Sequence, residues 1–204
     1  MTGTHVMTTR NIGLLGELAV EIELVYKEWH PVRLDTAQMA ANADIIAIKR
    51  HQKVSIQVKT TDAITRHTHS NTFGFGRADG YLNTRETETV TPFFNSRESP
   101  LIADIIIGVL YGANTREFVV LPVAMAEKIC RIHADYWYGI PRADGAIRST
   151  SFPVYLQLEP RLRHQAHDNL ISFNLKKFMN KWDILDLPTD TLHNPEKWEI
   201  EQPF

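Results

Sequence analysis

Four side chains, far apart along the chain, could do chemistry together: Glu17, Asp44, Gln57 and Lys59. Residues 54–59 read VSIQVK. In an extended strand, residues two apart share a face and stand about 6.5–7 Å from each other. Val54, Ile56 and Val58 make one purely apolar face that must point at a core, so Ser55, Gln57 and Lys59 share the opposite one. Carboxylates and a carboxamide carbonyl are hard oxygen donors of the kind divalent cations take. An ammonium beside them can stabilise developing negative charge.

The elements around these residues decide whether they meet. Residues 43–48 (ADIIAI) are a second β-rich run, joined to VSIQVK by the polar link KRHQK, and the two read as a hairpin. A link over residues 49–52 pairs Asp44 with Gln57 and puts both side chains on one face; a slip of one residue would send Asp44 to the other. The first register is the one expected. Residues 11–29 read as a helix in which Leu14, Leu15, Leu18, Ile22, Val25 and Trp29 recur at helical spacing as the expected buried stripe. Thr8, Thr9 or Asn11 can cap it, and His30-Pro31 ends it. Glu17, Glu21 and Glu28 border that stripe and can reach the adjacent sheet surface, whereas Glu23 and Lys27 point to solvent.

Downstream, residues 61–100 read as a long irregular segment holding at most one short strand. Residues 102–111 (IADIIIGVLY) suit a strand covered on both faces. Residues 117–121 form another strand, and Pro122 opens a helix running to about residue 135. Further strands are expected at 152–158 and 171–175. The tail after Pro188 should be ordered only if it docks, through Trp198 or Phe204. The expected architecture is one α/β domain over residues 1–204, a mixed central β-sheet flanked by helices. Its parts are core motifs at 11–60, the long loop at 61–100, a second half of the core at 101–187, and an acidic tail at 188–204.

Composition narrows the field. With 204 residues, 43% of them hydrophobic and 23% charged, the chain can bury one substantial core. It holds no apolar run long enough to span a bilayer and no secretory pattern at its N-terminus, so no membrane partner and a cytoplasmic location are expected. The lone Cys130 excludes an internal disulfide framework and any multi-cysteine metal site, and is expected to be a packing residue. Net charge is −2, but residues 180–204 hold six acids against two bases, which leaves 20 basic and 18 acidic residues in the first 179. A mildly basic body permits nucleic-acid binding without demanding it.

The run GLLGELAVEIEL…ADIIAI…VSIQVKTT resembles the PD-(D/E)XK nuclease superfamily. Members carry a helix with a glutamate, an aspartate on a strand, and an acid-x-lysine on the next strand. Glu17, Asp44, Gln57 and Lys59 fill those places here, over about a quarter of the chain. The later order, IADIIIGVLY then EFVVLPVAMAEKI, is similar to the rest of that core. The resemblance implies a restriction-endonuclease-like fold and a Mg²⁺-dependent endonuclease hydrolysing DNA phosphodiesters, with Mn²⁺ able to substitute. It assigns Asp44, Glu17, the Gln57 carbonyl and the Val58 backbone carbonyl as metal ligands. Lys59 would position the attacking water or stabilise charge. Cutting both strands of a duplex would suit a homodimer. The departure is Gln57, which stands where the family has an acid. It can still donate a neutral oxygen, but it removes one negative charge and weakens metal affinity unless Glu17 or Glu21 compensates. The alternative is therefore a nuclease-fold protein that binds DNA or a protein partner without cutting.

Other residues carry weaker signals. Arg66, Arg77, Arg85 and Arg97 in the long segment are candidate DNA-phosphate contacts, with Phe73, Phe75, Phe93 and Phe94 nearby in sequence. His164-x-x-His167 lacks an accompanying acid, and His67-x-His69 reads as a solvated pair. His133 with Asp135 reads as a helix-end feature, and Gly74-x-Gly76 as a flexible turn. Asp104 is out of character in its apolar strand: either a strand-start turn residue or a second polar group near the site.

Overall fold

The computed structural model describes residues 9–34, 43–62, 72–77, 103–111, 116–129, 153–157 and 175–200. Helix α1 (Thr9–Tyr26) leads into strand β1 (His30–Arg33), then β2 (Ile45–Lys49) and β3 (Gln52–Asp62). Strands β4 (Thr72–Arg77), β5 (Ile105–Tyr111) and β6 (Arg116–Pro122) follow. Residues 123–129 are helical (α2), β7 is Pro153–Gln157, and α3 is the short helix Thr189–Leu192. The central sheet has the order β1-β2-β3-β5-β6, and β4 pairs with β7 in a separate two-stranded sheet. Within the central sheet β3 and β5 run parallel while the other neighbours are antiparallel. The protein is thus α/β with a mixed five-stranded sheet.

The hairpin has the expected register. Ile45 pairs with Ile56 and Lys49 with Gln52; the ladder ends at Ile45, and the Asp44 N–H turns to the Ile56 carbonyl beyond it. The turn is tighter than the polar link suggested. Only Arg50 and His51 lie between the strands, and Arg50 takes the positive φ of 54° that two-residue hairpins call for. The apolar face of β3 is buried as expected, with Val54 and Ile56 fully so. Strand β5 is buried from Ile105 to Leu110, as its unbroken apolar run requires.

Strand β1 was not anticipated, because His30-Pro31 reads as a helix stop and nothing more. It is both. The helix ends in a Schellman arrangement: Glu28 sits at φ 64°, its N–H donates to Val25 C=O at 3.0 Å, and the Trp29 N–H donates to Leu24 C=O at 2.9 Å. Trp29 and Leu24, the two apolar ends of that motif, are buried, and the chain turns straight into an edge strand where a proline is tolerated.

The expected stripe of α1 is corrected. The face that packs on the sheet is Gly16, Ala19, Val20 and Leu24, all buried. Leu14, Leu18, Ile22 and Val25 are 45%, 41%, 46% and 61% exposed. The physical reason is close approach. A β-carbon added at Gly16 would lie 2.8 Å from Thr60 Cβ and 2.9 Å from Thr60 Cγ2, and closer still to the Thr60 hydroxyl. The helix rests on β3 through its smallest residues, and larger ones there would lift it off.

The C-terminal segment docks rather than trailing. Met179 makes an antiparallel bridge to Val119, and the Asn180 N–H donates to Phe118 C=O at 2.8 Å, which covers part of the β6 edge. Trp182 packs edge-on against Phe118 with ring centroids 5.1 Å apart. The Gln52 amide donates to Leu185 and Leu187 carbonyls at 2.8 Å each, and Lys49 pairs with Asp186 at 3.0 Å. Trp198 is tied by its indole N–H to Thr191 C=O at 3.0 Å. The strand expected at 171–175 and the contribution of Phe204 lie outside the described residues apart from Leu175, which is buried and not in a strand. The helix beginning after Pro122 is described to residue 129, so Cys130 and the continuation to about 135 lie outside.

Replacing Gly16 by Ala should lower stability by about 1–3 kcal/mol, the range for forcing an extra carbon into a packed interior. Thr60→Ala in the same chain should recover part of the loss. Urea denaturation of the single and double variants checks both.

Candidate functional site

Strand β2 stops before β3 does, and Asp44 sits at the break. Its N–H donates to Ile56 C=O at 2.8 Å, and its C=O accepts from Leu34 N–H at 2.9 Å. The backbone of Asp44 is therefore held from both neighbouring strands. Its side chain does the next piece of ladder work: Oδ2 accepts the Val58 N–H at 2.6 Å, in place of the carbonyl that a longer β2 would have offered. Within a strand the N–H and C=O of one residue point the same way. The Val58 carbonyl is consequently directed to the same edge as the N–H that Asp44 holds.

Lys59 and Glu17 are within electrostatic range of this carboxylate. Burial pushes the Lys59 ammonium below its ordinary value, and the charge of Asp44 opposes that shift. Burial likewise pushes Asp44 up, against the Val58 hydrogen bond and the positive charge of Lys59. Glu17 is raised by burial and then by the negative charge of Asp44, with Arg33 pulling the other way. Gln57 is 6% exposed, the buried polar residue of the described sheet, and shares its strand face with Lys59. Residues from α1, β2 and β3 thus make one half-buried group of two carboxylates and one ammonium, with a carboxamide on the same face as the lysine.

One partner was not anticipated from the sequence. Arg33 of β1 donates from Nε to Glu21 at 2.7 Å and lies 3.9 Å from Glu17. The signal was available, since a cation just after a helix carrying two acids one turn apart is suggestive, but it needed the unrecognised strand β1 to point it back. Asp104, read from the sequence as either a strand-start residue or a second polar group near the site, stands directly before β5. Its Oδ2 accepts both the Ser55 N–H and the Ser55 hydroxyl at 2.7 Å, and its Oδ1 lies 2.8 Å from His193 Nε2. Asp104 is a strand-start residue that binds β3, β5 and the C-terminal segment together on the face of Ser55. Glu28 is corrected: it leaves the helix at its positive-φ turn and is exposed, so it does not continue the Glu17–Glu21 row.

The remaining candidates cannot be placed in the same way. Arg66, Arg85 and Arg97, the two histidine pairs, His133 and Asp135 lie outside the described residues. Arg77 and Gly74-x-Gly76 lie within β4, so that segment is strand rather than turn. Among the described residues, no group of three or more His, Cys, Asp or Glu side chains could hold a metal ion.

Two outcomes follow from the electrostatics. Folding raises the Glu17 pKa, so stability is lost as pH climbs from the ordinary carboxylate range through the raised value. Glu17→Gln should accordingly raise the melting temperature of the metal-free protein at neutral pH by about 2 °C, in line with a change of under ~1 kcal/mol for a chain of this size. Asp104 behaves oppositely. Burial raises it, but the hydrogen bonds from His193 and Ser55 outweigh burial and leave it below its ordinary value. Its contribution is fully present above the unfolded carboxylate pKa and is lost as pH falls through the lower, folded one. Hydrogen exchange across residues 189–198 should accelerate in that acid window, and Asp104→Asn should produce the same loosening at neutral pH.

No protein-family model matches the chain, and no curated protein is significantly similar to it. Among solved structures, the chain is similar to the bacterial homing endonuclease I-Ssp6803I, with 12% identity and a TM-score of 0.49 over 88% of this chain and 93% of that one.

Proposed function

We propose that the chain is a metal-dependent endonuclease with a restriction-endonuclease-like core, hydrolysing DNA phosphodiester bonds with Mg²⁺, or Mn²⁺ in its place. The observation that carries this reading is the Asp44 carboxylate. It is pinned by Val58 N–H at one oxygen, beside a desolvated Lys59 and within electrostatic reach of Glu17. Perturbed groups of this kind concentrate at functional sites.

The donor set fits a hard cation. Glu17, the second oxygen of Asp44, the Gln57 amide oxygen and the Val58 carbonyl are all oxygen donors, and Mg²⁺ completes such partial sets with water. The two acids, held where each disfavours ionisation, are suited to a neighbouring positive charge. The metal would supply acidity to a bound water and neutralise charge on the scissile phosphate. The chain's own part is positional and electrostatic. Asp44 cannot swing away without breaking its bond to Val58. Arg33 holds Glu21 and steadies Glu17. Lys59, poorly hydrated, would donate a hydrogen bond to the attacking water or to the phosphate oxygen that gains charge. Its lowered pKa brings proton donation closer to neutral pH. The arginines at 66, 77, 85 and 97 are the proposed phosphate contacts. No described helix is long and apolar enough to cross a membrane.

A second reading has its own observation: with Gln57 in the acid's place and no cluster of three acidic, His or Cys side chains among the described residues, DNA would be held without being cut. Nicking of supercoiled plasmid decides between them. The nuclease reading expects Mg²⁺- or Mn²⁺-dependent nicking, abolished by chelation and reduced at least ~100-fold by Lys59→Ala or Asp44→Ala. Gln57→Glu should tighten metal binding in a titration. Metal-independent DNA binding that is indifferent to those changes, with no nicking, would establish the binding-only reading instead.

A further inference from the structure

Helix α1 is apolar on two sides. Its inner side, Gly16, Ala19, Val20 and Leu24, meets the sheet. Roughly opposite, at 100° per residue, stands a second row of Leu14, Leu18, Ile22 and Val25. Tyr26 widens that row and is 79% exposed. We propose that this outer row of α1 is the surface through which two copies of the chain pair, their α1 helices antiparallel about a two-fold axis.

Three observations favour a second copy as the occupant. The first is area. Five large side chains, 41–79% exposed, present roughly 500 Å² of contiguous apolar surface, at the upper end of the roughly 300–600 Å² that monomers leave uncovered. Two such faces together would remove roughly 1,000 Å², about where specific interfaces begin. The second is self-complementarity. The row repeats at intervals of four, four and three residues, so an antiparallel partner sets Leu18 against Ile22 and Leu14 against Val25 and Tyr26. An isologous contact must match itself in just this way. The third is charge. Glu17 and Glu21 flank the row and would repel across a two-fold axis, but Arg33 of the same subunit already lies on both. Arg33 offsets one of the two negative charges on the acidic flank, which lowers that repulsion, and the row beside it is uncharged.

The pairing does not rest on the nuclease reading. It gives that reading one thing it lacks, since the helix that carries Glu17 on its flank would hold two sites at a fixed separation.

Sedimentation of the full chain at tens of micromolar tests it. A species of twice the 23.4 kDa chain mass is expected. Leu18→Glu with Ile22→Glu should convert it to monomer with an unchanged far-UV circular dichroism spectrum, because both positions are exposed in the folded subunit. The milder pair Leu18→Gln with Ile22→Gln should weaken dimerisation at least tenfold and guards against misfolding of the charged variant. A monomeric wild-type chain would overturn the proposal, whether or not its helix then bound anionic phosphatidylserine vesicles. A dimer that survives both double variants would overturn it too, because its interface would lie elsewhere. Plasmid nicking, measured alongside, reports on the other reading separately. A dimer that does not nick leaves the pairing intact, and a monomer that nicks leaves the chemistry intact.

Discussion

One hydrogen bond organises the centre of this molecule: the Asp44 carboxylate accepting the Val58 N–H at 2.6 Å. A strand that outruns its neighbour exposes backbone donors that must be satisfied or left to water. Here a side chain satisfies the first of them. The substitution places an acid where the sheet would otherwise have had a neutral carbonyl. It also fixes that acid by the same forces that fix the sheet. Lys59 then lies one residue beyond the bonded N–H, and helix α1 brings Glu17 to the same carboxylate from the side. The group is electrostatically uncomfortable, with two raised acids and one lowered base, and the hydrophobic sheet around it supplies the stability to hold it together.

Much of this arrangement was legible in the sequence because period-two patterning is clear in VSIQVK. Once the apolar face of β3 is assigned, Gln57 and Lys59 share the opposite one, and the hairpin register was a choice between two link lengths. The parallel partner β5 was legible for a related reason: six consecutive apolar residues or glycine can only be covered on both sides. The outer elements were not. The buried face of α1 is made of Gly16, Ala19, Val20 and Leu24, and a reading that weighs large apolar residues passes over a glycine and an alanine. The larger leucines and isoleucine that suggested a core stripe are on the far side. Strand β1 was hidden by its own proline, which marks a helix end and is equally at home on a sheet edge. The pairing of Arg33 with two acids depends on that strand and was hidden with it.

The C-terminal segment illustrates how irregular chain can be structural. Residues 175–200 contain only short helical turns, yet they bond to β6 through Asn180, to the hairpin through Gln52 and Lys49, and to the start of β5 through His193. Its acidity, which looked like a solvated tail in the sequence, is partly spent on Lys49, a base of the sheet. Asp104 is the counterpart on the sheet side, an acid that makes three hydrogen bonds and ties β3, β5 and this segment together.

The near-contact between Gly16 and Thr60 has a mechanical meaning for the residue that follows it. A rod held at a second point cannot pivot on the first, and about two turns further on Leu24 and Trp29 are buried and tied together by the turn that ends the helix. Glu17 sits between the two anchorages, next to the first. The helix is a beam clamped at both ends, and the acid keeps its place along it.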